Sequence, residues 1–275
     1  VTGTAGGINP NGTPQGNTLV TIDAPGSTVT GNSFEGTTTR SGSASLRVRE
    51  ANTTINGNTF DSSGLSHGAV HLYLESNALN DALVSANTFD KGAYIESPDG
   101  GYVTATIGDS VSAASSGDTV KVLPGTYEES VTIATANITL ESTDDPEETT
   151  IVPQNSGSPV MQLGTVDSSN VPGITLDGFT IKASQSGGSV VQVWAQGEDE
   201  NPVTVRNNVV SSIGDWVVGI NIKYGQENVV IKDNRIVDEN PDLNVGLKYG
   251  MWLNGGGDIQ ITNNAIEDTV YAGVG

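Results

Sequence analysis

VTVRNNVV at residues 203–210, VVIKDNRIV at 229–237 and IQITNNAIE at 259–267 are copies of one unit. Each alternates apolar and polar residues, reaches an Asn, and resumes with an apolar residue. The unit also occurs as TVTGNSF at 28–34, TINGNTF at 54–60 and LVSANTF at 83–89. GITLDGFTI at 173–181 is a variant, read with Gly in the Asn place. The aligned asparagines are Asn32, Asn58, Asn87, Asn208, Asn234 and Asn264, with separations of 26 and 29, then 26 and 30, in the two sets.

A repeat of this length marks a solenoid, and its period of two marks strands. A second strand follows each Asn unit: SASLRVRE at 43–50, GAVHLYLE at 68–75, SVVQVWAQ at 189–196, VVGINIKY at 217–224 and YGMWLNGG at 249–256. There is room for a third in each repeat. Stacked coils of this kind form parallel sheets with strands about 4.8 Å apart. The expected fold is therefore all-β, a right-handed parallel β-helix. Asn enters the left-handed backbone region and bonds its own backbone, so it suits the corner between two sheets. Stacked asparagines also form side-chain ladders. Their recurrence in every coil assigns them to structure, because a binding site needs its residue once.

The repeat breaks between Asp99 and about Pro153. Ile107, Val111 and Ala114 fall at helical spacing, which predicts a short helix over 106–115. GDTVKVLPGTY supplies a strand and a Pro-Gly turn, and ESVTI and NITLES supply two more strands. Gly117, Asp118, Thr119, Val120, Val122, Pro124, Gly125, Thr126, Tyr127 and Glu129, then Val131, Ile133, Ile138, Thr139 and Leu140, make this stretch resemble the N-terminal cap of the pectin lyase-like β-helix superfamily. That group includes pectinesterase-type and surface-protein β-helices. The resemblance covers about 50 residues and carries no catalytic residue. It implies that a new solenoid opens at 101–125, since an open coil end must be covered. Two solenoids in tandem are then expected: 1–97 as the last coils of a first β-helix, and 98–275 as the cap and first coils of a second. Both chain ends read as unfinished coils, as in one segment of a larger extracellular array.

The chain carries 32 acidic and 11 basic residues, a net charge of −21. That sign argues against nucleic acid as a partner. High-salt adaptation, calcium binding and simple solubility all remain compatible with it. There are no cysteines, so disulfides and thiolate metal sites are excluded. No run of about 18 apolar residues is present, so no membrane-spanning helix is expected. The sequons at Asn11, Asn52 and Asn137 are of the number expected by chance in a chain rich in Asn, Ser and Thr.

Enzymes of the resembled superfamily act on acidic polysaccharides, so the resemblance implies paired carboxylates or bases on outward strand positions. In the later coils, Gln192, Asn221 and Trp252 are expected to form one outward column, and Trp194, Lys223 and Asn254 the next. Neither holds a carboxylate pair. Trp194, Trp252 and Lys223 are candidates for holding a sugar ring. In the earlier coils, Arg47, Arg49, His71 and Tyr73 gather in register, with Glu50 near Glu75, and are the candidate catalytic set. Calcium, the one ion left open, would be sought at the turn carboxylates Asp144, Asp145, Glu147, Asp238, Glu239 and Asp242. No cofactor is required.

Three functions follow from these features. The first is a structural or adhesive cell-surface protein (a filament, sheath or adhesin) whose units meet copies of themselves or flanking β-helix domains end to end. The second is a polysaccharide lyase or esterase. The third is a non-catalytic carbohydrate-binding β-helix.

Overall fold

A computed structural model describes residues 2–4, 18–37, 44–63, 65, 70–154, 159–167, 170–184, 187–239, 246–254, 256–269 and 272–274. It is nearly all β, a parallel β-solenoid of about eight turns. The expected third strand per coil is present. By contacts the chain divides into two compact units: Val1–Ala113 with Val120–Gly125, and Ala114–Thr119 with Thr126–Gly275.

In the first unit, Val20–Ile22, Ala44–Val48 and Val70–Leu74 pair in parallel, with Val20, Leu46 and Leu72 in line and Thr21, Arg47 and Tyr73 beside them. Thr28–Thr30 pairs with Thr54–Asn56 in a second ladder. Ser33–Thr37, Thr59–Asp61 and Thr88–Phe89 form a third. Strict alternation turns Leu46, Val48, Leu72 and Leu74 inward, where they are buried. Register also stacks Phe34, Phe60 and Phe89, with ring centres 4.9 and 4.7 Å apart.

In the second unit, one ladder runs through Thr139–Ser142, Thr175–Asp177, Val203–Arg206, Val229–Lys232 and Ile259–Thr262. Another runs through Thr149–Val152, Thr180–Ala183, Val209–Ser212, Arg235–Asp238 and Ala265–Glu267. The third joins Val131–Ile133, Met161–Leu163, Ser189–Val193, Val217–Ile222, Leu247–Leu253 and Ala272–Val274. Leu176, Val205 and Ile231 from the first, Ile181, Val210 and Ile236 from the second, and Met161, Val191, Ile220 and Met251 from the third are fully buried. These three columns meet in one narrow core.

The asparagines form the expected ladders. Asn208 donates its backbone N–H and its Nδ2 to Asn234 Oδ1 at 3.0 and 3.1 Å. Asn234 does the same to Asn264 at 3.0 and 2.9 Å. In the first unit Asn32 donates to Asn58, and Asn58 to Asn87. Two details differ from the sequence reading. The left-handed residue is the one before the ladder Asn: Gly31, Gly57, Asn207, Asp233 and Asn263 have positive φ, and the ladder asparagines do not. The ladder Asn thus acts through its amide, bridging coils, and its neighbour makes the bend. In the variant coil, Gly178 is that bend, and Phe179 holds the Asn place. Its N–H donates to Asn208 Oδ1 at 3.0 Å, so the apolar residue begins the ladder without an orphaned amide.

Two further departures concern 79–113. Leu83–Ser85, read as the start of a strand unit, belongs to a short helix, Asp81–Ser85. Asn80 caps it by accepting from the Leu83 N–H, Asp81 sits in its first turn, and Val84 faces the core. The helix expected at 106–115 is present at Ile107–Ala113. Gly101–Thr104, expected to open a second solenoid, pairs antiparallel with Val70–Leu74 in the first unit. Ala93–Ile95 then pairs antiparallel with both Gly101–Thr104 and Thr119–Val122. Antiparallel strands therefore cover the last parallel edge of that unit, as an exposed edge requires.

Candidate functional site

The candidate catalytic residues of the first unit lie close in register but in different environments. Arg47 Nε donates to Glu75 Oε1 at 2.6 Å. Arg49 spans Asp23 at 3.3 Å and Glu75 at 3.7 Å. The Arg47 guanidinium also lies 5.8 Å from the Tyr73 ring centre. Burial pushes the Tyr73 hydroxyl pKa up, away from the range of a working base. His71 is fully buried, in edge contact with the stacked rings of Phe60 and Phe89. Its Nε2 lies 2.9 Å from the Lys91 carbonyl and 3.6 Å from Asp90, and its Nδ1 has no hydrogen-bond partner among the described residues. Desolvation lowers its pKa to about 4, against the opposing pull of Asp90. Arg47 and Arg49 thus have carboxylate partners, and the one imidazole among them is out of reach of a solvent-borne substrate.

The turn carboxylates are dispersed. Asp144, Asp145 and Glu147 are exposed around the short turn Pro146–Glu148. Asp238 is buried and accepts the Leu247 N–H at 2.8 Å. Glu239 pairs with Lys182. Asp242 lies outside the described residues. Among the described residues no group of three His, Cys, Asp or Glu is placed to hold a metal ion.

The second unit carries a more specialised surface on the outer face of its third ladder. Gln192, Asn221 and Trp252 do stack in one column. Trp194, Lys223 and Asn254 follow the ends of the same strands and bond to equivalent carbonyls of the preceding coils. The Lys223 ammonium lies 5.5 Å from the Trp194 ring centre, and burial lowers its pKa. Trp194 Nε1 donates to Gln192 Oε1 at 2.8 Å. Trp252 Nε1 donates to Asn254 Oδ1 at 2.5 Å, and Asn254 Nδ2 reaches Asn221 Oδ1 at 3.3 Å.

A shallow cleft of about 240 Å³ opens beside this column, lined by Trp216, Val218, Asn221, Lys248, Tyr249 and Trp252. Two breaks in regular coil geometry build it. Val217 pairs with Leu247 but Val218 pairs with Tyr249, so Lys248 is an extra residue in the ladder, a β-bulge. A bulge re-aims side chains. Here Tyr249 and Trp252, three apart on one strand, meet with ring centres 4.4 Å apart. The second break is a Trp at a left-handed corner: Trp216, at φ +61° and 54% exposed, stands where the adjacent coils carry Gly187 and Gly246, also at positive φ. A bulky residue in the left-handed region is uncommon and costly, and such strain gathers at functional sites. Lys248 extends to within 4.2 Å of the Trp216 ring centre and 5.4 Å of Tyr249.

Trp252 was among the sequence candidates, whereas Trp216, Lys248 and Tyr249 were not. The only signal for the bulge is a coil spacing that lengthens by one residue, from 30 between Val217 and Leu247 to 31 between Val218 and Tyr249. Trp194 and Lys223 make a separate pair on the next column and do not line the cleft.

Comparison with protein families, with curated proteins and with solved structures finds no match to the chain. The likeness of residues 117–140 to the pectin lyase-like cap is thus supported only as far as the parallel β-solenoid itself.

Proposed function

We propose that the chain is a non-catalytic, structural and adhesive β-solenoid of the cell exterior that recognises glycans through the outer face of its second unit. The observation that carries this reading is the Trp216–Tyr249–Trp252 cleft. A regular coil stack needs neither a bulge nor a left-handed Trp, and both converge on one concave, aromatic surface. Aromatic rings with amides beside them suit a sugar, whose C–H face packs on the ring while its hydroxyls find the polar groups. Asn221, Asn254 and Gln192 provide such amides.

The reading is tested by retention of the full chain on a panel of immobilised glycans, with product analysis of every retained glycan. Retention without cleavage, lost in Trp252→Ala and Tyr249→Ala, is expected. Cleavage of any retained polysaccharide would replace this reading with an enzymatic one.

A further inference from the structure

We infer that the cleft takes a single sugar ring, the terminal residue of a glycan, and not a run of residues along a polymer. This inference rests on the glycan reading above and narrows its ligand.

The columns that pass through the cleft decide the point. Along the coil stack they read Ser189, Val218, Tyr249 and Gln192, Asn221, Trp252. Rings occur at one level of each, and a hydroxyl or an amide occupies the same place two coils earlier. A polymer laid along the stack would meet the aromatic floor once and then leave it. Trp194 does not extend the floor, because it follows the end of its strand on the next column and does not line the cleft. Across the strands the cleft is also bounded. Trp216 and Lys248 close one side, and the hydrogen-bonded run Trp252–Asn254–Asn221 closes the other. The volume agrees: about 240 Å³ is below the roughly 300–1,000 Å³ of sites for drug-sized ligands.

Asn221 sets the polar side of the ring. It is buried, its Nδ2 donates to Ser189 Oγ at 3.0 Å, and among the described residues its Oδ1 takes only the long Asn254 contact of 3.3 Å. A carboxamide oxygen has two lone pairs, so one sugar hydroxyl can donate to it without displacing a protein bond.

The experiment first identifies a bound sugar on a glycan panel. The methyl glycoside, disaccharide and hexasaccharide of that sugar are then titrated against the full chain by calorimetry. Affinities equal within about threefold across the series are expected, with Trp216→Asn lowering all of them by about tenfold or more. Asn tolerates the left-handed region, so that variant keeps the corner. Affinity that climbs tenfold or more with length overturns the single-ring inference and leaves the glycan reading standing. Unchanged binding in both Trp216→Asn and Tyr249→Ala overturns it too, by placing the sugar elsewhere. Absence of binding to any saccharide overturns both readings. Uptake of a nucleoside or an aromatic amine in place of a sugar overturns the ligand class.

Discussion

The Lys248 ammonium lies 4.2 Å from the centre of the Trp216 ring, a contact made by two residues that each break the coil rule. Lys248 is the inserted residue of a bulge, and Trp216 holds a left-handed corner. The contact is a cation–π pair at an exposed site, worth about 0.5–1 kcal/mol. The left-handed backbone of Trp216 costs about 1–3 kcal/mol, so cost and gain are similar in size. Trp216→Asn is therefore expected to leave the stability within about 1 kcal/mol of the native chain, or to raise it. Denaturant midpoints check this. A loss of 2 kcal/mol or more would show that Trp216 supports the fold and does not serve the cleft alone.

Asn208 is expected to be much less tolerant. It is buried, and its Oδ1 accepts the Phe179 N–H while its Nδ2 reaches Leu176, Arg206 and Asn234. Asn208→Ala orphans the Phe179 amide and removes the Nδ2 bonds to Leu176, Arg206 and Asn234, leaving only the backbone N–H bond to Asn234 Oδ1. Each buried group left unpaired costs about 1–3 kcal/mol, so a loss of at least 3 kcal/mol is expected. Asn264→Ala is the contrast, because Asn264 is more exposed and water can replace its amide. Equal losses at the two positions in urea melts would count against a burial-dependent ladder.

The ladder also shows how far the sequence was legible. Period-two strands and an Asn returning every 26–30 residues within each set are local signals repeated from coil to coil, so the solenoid and its ladder could be read. The strand columns Gln192–Asn221–Trp252 followed from register alone. Leu83–Ser85 was misread because LVS alternates like its strand counterparts, although Asn80-Asp81-Ala82 carried an N-cap signal. The cleft was hidden for a different reason. A bulge is one added residue in a coil whose length varies anyway, and a left-handed Trp has no side-chain signature. The placement of Gly101–Thr104 needed partner knowledge, since a covering strand reads alike whichever sheet it pairs with.

Phe60 is the central ring of the Phe34–Phe60–Phe89 stack and is fully buried. Phe60→Ala would open a cavity between two rings held by their own coils, with little scope for collapse. A loss of about 3–5 kcal/mol is expected. Phe60→Leu should lose distinctly less, because it keeps most of the volume. Chemical denaturation of the two variants distinguishes this from a stack that relaxes freely, in which both would lose little.

His71 gives the first unit a pH dependence whose sign is fixed. Its pKa is about 4 in the fold against 6.5 without the environment, and burial is the main cause. Below pH 6.5 the unfolded chain therefore binds a proton that the folded chain refuses. Stability is fully present above 6.5, falls as the pH drops towards 4, and is flat in this respect below that. The difference corresponds to roughly 3 kcal/mol, with the opposing pull of Asp90 on the imidazolium already counted in it. All three Trp residues lie in the second unit, so tryptophan fluorescence will not report the effect. Amide hydrogen exchange at Ala44–Val48 and Val70–Leu74 will. Exchange should accelerate between pH 6.5 and 4, after correction for its intrinsic rate. In His71→Gln, whose amide can still donate to the Lys91 carbonyl, that acceleration should vanish. If the variant keeps the same pH profile, the acid sensitivity belongs to carboxylates such as Asp61, whose pKa the Ser63 hydrogen bonds lower, and the imidazole plays no part in it.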